Sequence, residues 1–323
     1  MRDAGRSRRS VIGVDLGGTK CHAVLVDAAG AVVREVYRPT SELADPADVL
    51  VDTIARLRRA ATDAGQEVGA VGIGIPAFVD PRSGLVVGGW NLDWHDFDLC
   101  ARLDAELPEP YVLENDVNLA ALGEARVGAG RDARSFVVVS LGTGLGGAVV
   151  VDGRLLRGAH GAAGEIGFLM AGREQLRRPG LMAMEELVGG RALAARAREL
   201  GAGEGGAGEG GDRALVPDPA DAAAVFEAAR RGAPVAVRVL DELLEHVAMT
   251  VIDVAAVLDP QRVIFDGSIG RALGPYLTRL RDLIAPSVLY VPELVLSTLT
   301  PNAPLAGAVA EARALGDRPA GGR

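Results

Sequence analysis

The stretch VIGVDLGGTK, residues 11–20, decides the fold of this chain. An apolar run ends in Asp15, and two glycines, a threonine and a lysine follow it. Glycines let backbone N–H groups approach an anion closely, which indicates a phosphate-binding loop. The Walker pattern needs four residues between its first glycine and a Gly-Lys-Ser/Thr end, which this stretch lacks. The dinucleotide fingerprint needs a helix after the loop, so it does not fit either. Residues 21–37 alternate between apolar and polar types and contain many β-branched side chains. They therefore predict a second strand, which makes the loop the turn of a β-hairpin.

The composition indicates an ordinary globular protein, with two domains expected from its length. The chain has 323 residues, of which 49% are apolar and 24% charged. Its net charge of −9 argues against non-specific binding to nucleic acid. No apolar run of about 18 residues occurs, and residues 1–10 lack the apolar core of a signal peptide. We therefore expect a cytoplasmic protein with neither a membrane nor a nucleic acid as partner.

The chain repeats one plan twice. Residues 11–37 predict strand, hairpin, strand, turn and strand, and residues 135–158 predict the same order around SLGTGLGG. In the first half a helix over 46–65 and a buried strand over 68–76 follow. In the second half we expect helices at about 184–200, 221–231 and 234–258, a flexible loop at 200–221 and a strand at 262–267.

The glycines of GTGLGG, residues 142–147, satisfy the dinucleotide pattern literally. A strand follows them instead of a helix, so the structural context of that pattern is missing. We therefore interpret Gly142, Thr143 and Gly144 as a second phosphate hairpin, equivalent to residues 15–20. Two similar halves, each presenting a hairpin to the same cleft, would hold the phosphates of a nucleotide from both sides.

The stretch LENDVNLAALGEA, residues 113–125, contains the candidate catalytic group. Asn115 and Asp116 end a short apolar strand, directly before a predicted helix. A carboxylate at such a place can accept a proton from an attacking hydroxyl, and phosphoryl transfer otherwise depends on positioning and charge stabilisation. Asp is also a common N-cap residue, so a purely structural role for Asp116 is equally compatible with this stretch.

Seven segments occur in the order found in the ROK family, which comprises bacterial sugar kinases and related repressors. They are VDLGGTK, GIGIP, NLDW, ENDVNLAALGE, SLGTGLGG, RGAHGAAGEIG and PLAGAVAEA, and the resemblance runs from about residue 11 to 315. It implies an α/β protein with the two-domain actin-like, ribonuclease-H-like ATPase fold, a duplicated β-meander plus helices with a cleft between the domains. We expect a disordered stub at 1–10 and two domains, formed by 11–117 with about 303–318, and by 118–302.

The resemblance also implies an activity, ATP-dependent phosphorylation of the 6-hydroxyl of a hexose, with glucose as the first expectation. Asp116 would be the general base, and Asp15 would hold Mg²⁺ through water. The other residues that resemble sugar ligands are Asn91, Asn115, Glu165 and Glu185. Those that resemble ATP-binding residues are Gly17, Gly18, Thr19, Lys20, Gly142, Thr143, Gly144, Gly267 and Ser268. Asp266 stands where the family usually has glycine, and a homodimer is implied by the resemblance alone.

The chain departs from the family pattern where the family binds structural zinc. Phe168 replaces the histidine that typically follows GEIG, and residues 176–194 contain no cysteine where a cysteine cluster is typical. Structural zinc needs about four nitrogen or sulfur ligands, so we expect no zinc. The two cysteines of the chain, Cys21 and Cys100, lie far apart and have no metal-ligand spacing.

Two further expectations follow from this departure. Phe168 and the apolar run 181–184 are expected to replace the metal by packing. The lost histidine removes one hydrogen bond to the sugar, which changes sugar preference more readily than it abolishes activity. The second sugar-binding glutamate is expected at Glu185, with Glu186 as the alternative because the register is uncertain by one residue.

Several functions stay open from sequence. The sugar could be an N-acetylhexosamine such as N-acetylmannosamine or N-acetylglucosamine, or another hexose, and the donor could be polyphosphate instead of ATP. A sugar sensor without turnover is a second class, against which the intact END motif argues. A polymerising or chaperone ATPase of the same fold superfamily is a third, and the joint presence of Asn91, Asn115, Asp116 and Glu165 argues against it.

Overall fold

A computed structural model describes residues 9–80, 83, 85–88, 92–94, 97–177, 182–204 and 222–317. Its contacts divide the chain into two units. The first contains residues through Arg131, Arg157–Ala163 and the chain from Thr298 on, and the second contains Asp132–Leu156 and Gly164–Ser297. The boundary expected from the sequence lies at residue 117 instead. The helix that begins at Asp116 belongs to the first unit because it packs against the C-terminal helix.

The first unit contains the first glycine hairpin within its main sheet. Its strands are β1 (Ser10–Leu16), β2 (Lys20–Val26), β3 (Val32–Pro39), β4 (Val68–Ile75), the short β5 (Phe78–Val79) and β6 (Val86–Val87), and β7 (Tyr111–Asn115). β5 and β6 pair with each other, and the others form a sheet in the order β3-β2-β1-β4-β7. β1 runs antiparallel to β2 and parallel to β4. Asp15 lies near the carboxyl end of β1, which ends at Leu16. Ser10 was expected in a disordered stub. It is instead the buried first residue of β1, where it is paired with Val68 of β4.

The described residues of this unit form four α-helices, α1 (Pro46–Asp63), α2 (Leu99–Glu106), α3 (Asp116–Val127) and the C-terminal α10 (Ala303–Gly316). The helix predicted over 46–65 is confirmed as α1. Asp45 caps it by accepting from the Ala47 N–H at 2.8 Å, and Pro46 occupies the first position, where its missing N–H has no cost. The buried face of α1 then covers the sheet with apolar residues at helical spacing, including Leu50, Ile54 and Leu57.

Glycines let α10 lie directly against the sheet and against α3. A Cβ atom on Gly72 of β4 would overlap the carbonyl oxygen of Ala308, and one on Gly307 would overlap the carbonyl oxygen of Leu119 in α3. Both obstacles are backbone atoms, which cannot move aside without shifting a whole element. The contact therefore requires glycine at both positions, and it joins elements from opposite ends of the chain.

The second unit contains the second glycine hairpin in a sheet of its own. Its strands are β8 (Phe136–Leu141), β9 (Leu145–Val151), β10 (Arg154–Leu155), β11 (Arg262–Asp266) and β12 (Glu293–Leu296), in the order β10-β9-β8-β11-β12. β8 and β9 form the antiparallel hairpin, and β11 runs parallel to β8. The strand order predicted over 135–158 is confirmed, and the plan of the first sheet recurs.

Within the part of this unit that the structure describes, six α-helices accompany the sheet, α4 (Glu185–Val188), α5 (Gly190–Glu204), α6 (Ala222–Arg230), α7 (Pro234–Leu258), α8 (Gly267–Ala272) and α9 (Leu277–Ile284). The single helix expected at 184–200 is wrong in one respect, because Gly189 has an extended ψ of 155° and separates α4 from α5. The loop expected at 200–221 lies outside the described residues beyond Glu204. Among the described residues, no helix has the length and apolarity that crossing a membrane requires.

The α3–α10 contact gives a test of the packing argument. We expect Gly307→Ala to lower the free energy of unfolding by about 2–3 kcal/mol, because the new methyl group must displace the Leu119 backbone. Gly316→Ala is the matched control at the exposed end of the same helix, where a Cβ would make an ordinary contact at 3.7 Å. Chemical denaturation followed by circular dichroism measures both. Equal stability of the two variants would contradict the argument.

Candidate active site

The first glycine hairpin is braced by Thr40. The turn closes through Gly17, whose N–H donates to the Lys20 carbonyl at 2.8 Å. Thr40 then donates twice, from its N–H to the Thr19 carbonyl at 3.0 Å and from its Oγ1 to the Gly17 carbonyl at 2.7 Å. The tip residues Gly18, Thr19 and Lys20 are exposed. A fixed backbone with an exposed tip suits a turn that binds an anion through its N–H groups.

Asp15, directly before this turn, shares a partner with the C-terminal helix. Its Oδ2 accepts from the Asn302 Nδ2 at 2.7 Å, and the Asn302 Oδ1 caps α10 by accepting from the Leu305 N–H at 3.0 Å. Asp15 is half-buried. A carboxylate at the start of a glycine turn is the oxygen ligand that Mg²⁺ prefers, so the residue present fits that ion. Sequence reasoning missed Asn302, whose only signal was an N-cap residue before a proline-containing first turn.

The start of α3 separates the capping role from the candidate base. Asn115 is the N-cap, and its Oδ1 accepts from the N–H groups of Val117 at 2.9 Å and Asn118 at 3.1 Å. Asp116 is the first helical residue, with its Oδ1 2.8 Å from the Val117 nitrogen. The structural alternative for Asp116, that it is the N-cap, is therefore wrong. The Asp116 carboxylate lies at the N-terminus of α3, the positive end of the helix dipole.

Glu114, which the sequence analysis did not single out, holds the beginning of α3 in place. Its Oε1 accepts from the Asn115 N–H and from the Asn118 Nδ2, both at 3.0 Å. Its Oε2 lies 2.8 Å from the Nε of Arg157, the first residue of the 157–163 segment that belongs to this unit. The charge pair thereby ties a segment remote in sequence to the candidate base. Its only sequence signal was the opposite charge of the two residues.

In the second unit, the second glycine hairpin meets the turn between β11 and α8. Gly267 has a φ of +79°, and a Cβ on it would overlap the Leu141 carbonyl oxygen. A Cβ on Gly142 would lie 3.9 Å from the exposed Ser268 side chain, so the two candidate ATP-binding turns are neighbours. The Gly142 carbonyl also accepts from the Gly190 N–H at 2.9 Å, which fixes the start of α5 against the hairpin.

Glu185 and Glu186 point to different surroundings. The Glu185 Oε2 accepts from the Leu145 N–H at 2.9 Å and lies so close to Gly144 that no Cβ would fit there. Glu186 is exposed and lines a cavity between α5 and α7 together with His246. Of the two, Glu185 is therefore the one that contacts the hairpin, whose tip residue Thr143 is exposed.

Glu165 directly precedes a short 3₁₀ turn, Ile166–Phe168, and the pKa of its carboxyl group is raised. Burial, with the negative charge of Glu185 as a second cause, raises the pKa of Glu165 to about 7. Neighbouring carboxyl groups can accept hydrogen bonds from hydroxyl groups. Asp266, where the family usually has glycine, is also buried, and its Oδ1 pairs with the Arg271 Nη1 at 3.0 Å.

The loop that lacks the family's cysteine cluster is held by an amide side chain. The Gln175 Oε1 accepts from the N–H groups of Ala171 at 2.7 Å and Gly172 at 3.1 Å, and its Nε2 donates to the Ala183 carbonyl at 3.2 Å. One side chain thus joins both ends of the loop. No sequence pattern singles out this glutamine, because its three partners are backbone groups.

The expectation that Phe168 replaces the metal by packing is wrong. Phe168 is 41% exposed, whereas Met184 is fully buried in the core of the second unit. Phe168 is the last residue of the short 3₁₀ turn Ile166–Phe168, and Met184 follows Ala183, whose carbonyl accepts from the Gln175 Nε2. Within the described ranges, no group of three His, Cys, Asp or Glu side chains could hold a metal ion. Asn91, an expected sugar ligand, lies outside the described residues.

Comparisons with known proteins agree with this arrangement. The model of the ROK family matches residues 11–314. The chain is 34% identical over 304 residues to the glucokinase of Thermotoga maritima, covering 92% of this chain and 95% of that protein. It resembles the crystal structure of a ROK family glucokinase from Streptomyces griseus in complex with glucose and AMPPNP, with a TM-score of 0.77, 30% identity and 94% and 99% coverage. The ROK hexokinase from Thermus thermophilus gives a TM-score of 0.74 at 29% identity, with 94% and 97% coverage. The predicted fold class is confirmed.

Because Gln175 joins the two ends of its loop, we expect the folded protein to be stable without zinc. We expect Gln175→Ala to lower the free energy of unfolding by about 2 kcal/mol, because three backbone groups lose their partner. Glu174→Ala, an exposed neighbour, is the matched control and should change it by less than about 0.5 kcal/mol. A zinc chelator should leave the melting temperature of the unaltered protein unchanged. Melting that shifts with the chelator, or equal effects of the two variants, would overturn this explanation.

The raised pKa of Glu165 predicts a pH-dependent stability. The folded state binds the proton more tightly than the unfolded state, so this group's contribution is full below pH 4.5 and is lost as the pH rises to about 7. The loss should be about 2 kcal/mol once solvent screening is allowed for. Glu165→Gln should remove this part of the pH dependence, whereas the exposed control Glu174→Gln should retain it. Urea denaturation between pH 4.5 and 8 tests the difference.

Proposed function

The chain belongs to the ROK family, and we propose that it transfers the γ-phosphoryl group of ATP to the 6-hydroxyl of glucose with Asp116 as general base. It is an ATP-dependent sugar kinase, since the family match spans almost the whole chain and the similar proteins include glucokinases, one of them solved with glucose and AMPPNP. The same relatives support glucose as the substrate. The observation that carries the assignment of the base is the separation of Asp116 from the capping residue Asn115.

Asp116 can act as a base because its surroundings hold it in place at the beginning of α3. It stands at the positive end of the α3 dipole, and Glu114 fixes the turn before it through Asn118 and Arg157. An ionised carboxylate within hydrogen-bond reach of the sugar accepts the proton of the 6-hydroxyl as that oxygen attacks the γ-phosphorus. Such a base contributes a factor of about 10²–10⁴ to the rate.

Backbone groups of the two glycine hairpins are assigned to the phosphates. In the first unit, the Thr40 brace holds the turn of Gly17, Gly18 and Thr19 before ATP arrives. In the second unit, the contact of Gly267 with Leu141 holds the 142–144 turn in the same way. Dipoles that are fixed in advance stabilise developing charge without reorganising. Mg²⁺, which Asp15 would hold through water, neutralises charge on the phosphate oxygens when it is bound.

Carboxylate and amide groups are assigned to the sugar hydroxyls. Glu165 and Glu185 supply acceptors in the second unit, and the choice of Glu185 over Glu186 is supported by its contact with Leu145. Phe168 offers no hydrogen bond where the family typically has a histidine. The loss corresponds to about 1–2 kcal/mol, or roughly tenfold in sugar affinity, which is small beside the contribution of the base.

The proposal is tested by turnover with Mg²⁺ and ATP across glucose, other hexoses and N-acetylhexosamines. We expect glucose to be phosphorylated, and Asp116→Asn to lower kcat about 10³-fold with little change in the KM for glucose. Asp48→Asn, which also removes a carboxylate from the first turn of a helix, is the matched control and should retain full activity.

Each other outcome has a defined meaning. Preference for an N-acetylhexosamine would replace the substrate and keep the mechanism. Sugar binding with no turnover would make the protein a sensor, and Asp116 would not be a base. Equal activity of the Asp116→Asn and Asp48→Asn variants would also refute the assignment of the base.

A further inference from the structure

We propose that Asn302 and His22 form a positioning pair that sets the orientation of the Asp15 carboxylate for the reaction. The inference rests on the proposed role of Asp15 at the phosphate hairpin. It assigns to the C-terminal helix α10 a part in the chemistry, because Asn302 is its N-cap. Neither residue was a candidate site residue from sequence. Asn302 lies 287 positions from Asp15, so only the fold brings the two together.

The orientation of the Asn302 amide is determined by its partners. The Leu305 N–H is a donor, so it requires the amide oxygen, and their separation is 3.0 Å. The Asp15 carboxylate is an acceptor, so it requires the amide nitrogen, which lies 2.7 Å from Oδ2. The reversed amide would place two oxygens together and leave a helix N–H without its cap. Only one orientation satisfies both partners.

That orientation determines the tautomer of His22. The second hydrogen of the Asn302 Nδ2 points to the His22 Nδ1, at 3.1 Å, and this nitrogen must therefore be the unprotonated acceptor. The hydrogen of a neutral imidazole then lies on Nε2, which is 2.8 Å from the Glu35 Oε1. His22 is only 3% exposed, and the Tyr37 ring stacks on it at 3.9 Å. The imidazole cannot turn without breaking these contacts.

Glu35 completes the arrangement at the exposed edge of the sheet. Its Oε1 also accepts from the Tyr37 hydroxyl at 3.0 Å, and these hydrogen bonds, from His22 first and Tyr37 second, lower the pKa of the Glu35 carboxyl. An ionised Glu35 is the acceptor that the Nε2–H tautomer needs. Donor and acceptor roles therefore alternate without conflict along Glu35, His22, Asn302 and Asp15.

The consequence for catalysis is a carboxylate that is held in one orientation. The Asp15 Oδ2 accepts from the amide of a helix cap, so the orientation of the carboxylate is set before Mg²⁺ and ATP bind. Hydrogen bonds to charged groups are strong enough that losing this one should be visible in kinetics. Asn302 and His22 act through Asp15, and neither is assigned a contact with substrate.

The substitution Asn302→Ser distinguishes the positioning role of Asn302 from its role as the cap of α10. Asn302→Ser retains an oxygen that can cap α10 but has no amide donor, whereas Asn302→Ala loses both functions. We expect Asn302→Ser to melt close to the unaltered protein, to lower kcat about 10- to 100-fold, and to raise the Mg²⁺ concentration for half-maximal rate several-fold. The KM for glucose should change less than about twofold. Unchanged kcat and Mg²⁺ dependence in a folded Asn302→Ser variant would overturn the proposal.

His22 variants give a second test. Asparagine carries an oxygen at the position of Nδ1, so His22→Asn should retain more of the kcat and Mg²⁺ dependence than His22→Leu. His246→Leu, on α7 of the other unit, controls for the loss of a histidine. Equal defects in His22→Asn and His22→Leu, both folded, would count against the acceptor role of Nδ1.

A measurement without substrate keeps this inference separate from the proposed function. Imidazole ¹⁵N NMR, with the His22 signal identified by its loss in His22→Asn, should show the Nε2–H tautomer in the unaltered protein. The Asn302→Ser variant should keep the hydrogen on Nε2, which Glu35 accepts, but its Nδ1 signal should shift because Nδ1 loses its hydrogen-bond donor. If no sugar is turned over, the proposed function fails, and the NMR result decides the pair by itself. The same Nδ1 shift with and without the Asn302 amide would refute the pair.

Discussion

The contact between α10 and the first sheet is the constraint on which the first unit depends. Backbone touches backbone at Gly72 and Gly307, so the distance between α10, β4 and α3 is set by main-chain atoms and not by adaptable side chains. The C-terminal helix contacts both β1, which carries Asp15, and α3, which begins with Asp116. One helix from the end of the chain therefore fixes the elements that carry both candidate functional carboxylates of this unit.

The second unit reaches a similar rigidity with different groups. The Gly267 turn is pressed against the Leu141 carbonyl, and the Glu185 carboxylate occupies the space beside Gly144. Its loop after Phe168 is joined by the Gln175 amide through three hydrogen bonds to backbone. These short, well-directed bonds join the two ends of the loop, and each contributes about 1 kcal/mol.

Much of the fold could be predicted because its signals are local. The period of two in residues 11–37, the glycine turns and the cap and proline of α1 depend on neighbours within a few positions. Distant elements were harder to predict. The boundary expected at residue 117 does not take account of the contact by which α3 groups with the first unit. Phe168 and the run 181–184 were both expected to pack, but Met184 is buried and Phe168 is exposed.

The sequence by itself determined the two sheets with their glycine hairpins, the family, and the type of chemistry that the END motif supports. Only the tertiary structure decided which partners those groups have. It placed Glu185 instead of Glu186 against the second hairpin, tied Arg157 to Glu114, and brought Asn302 to Asp15. The physical reason is that strand period and turn chemistry arise from adjacent residues. The direction of a side chain toward a distant partner is fixed only when the elements carrying both are packed.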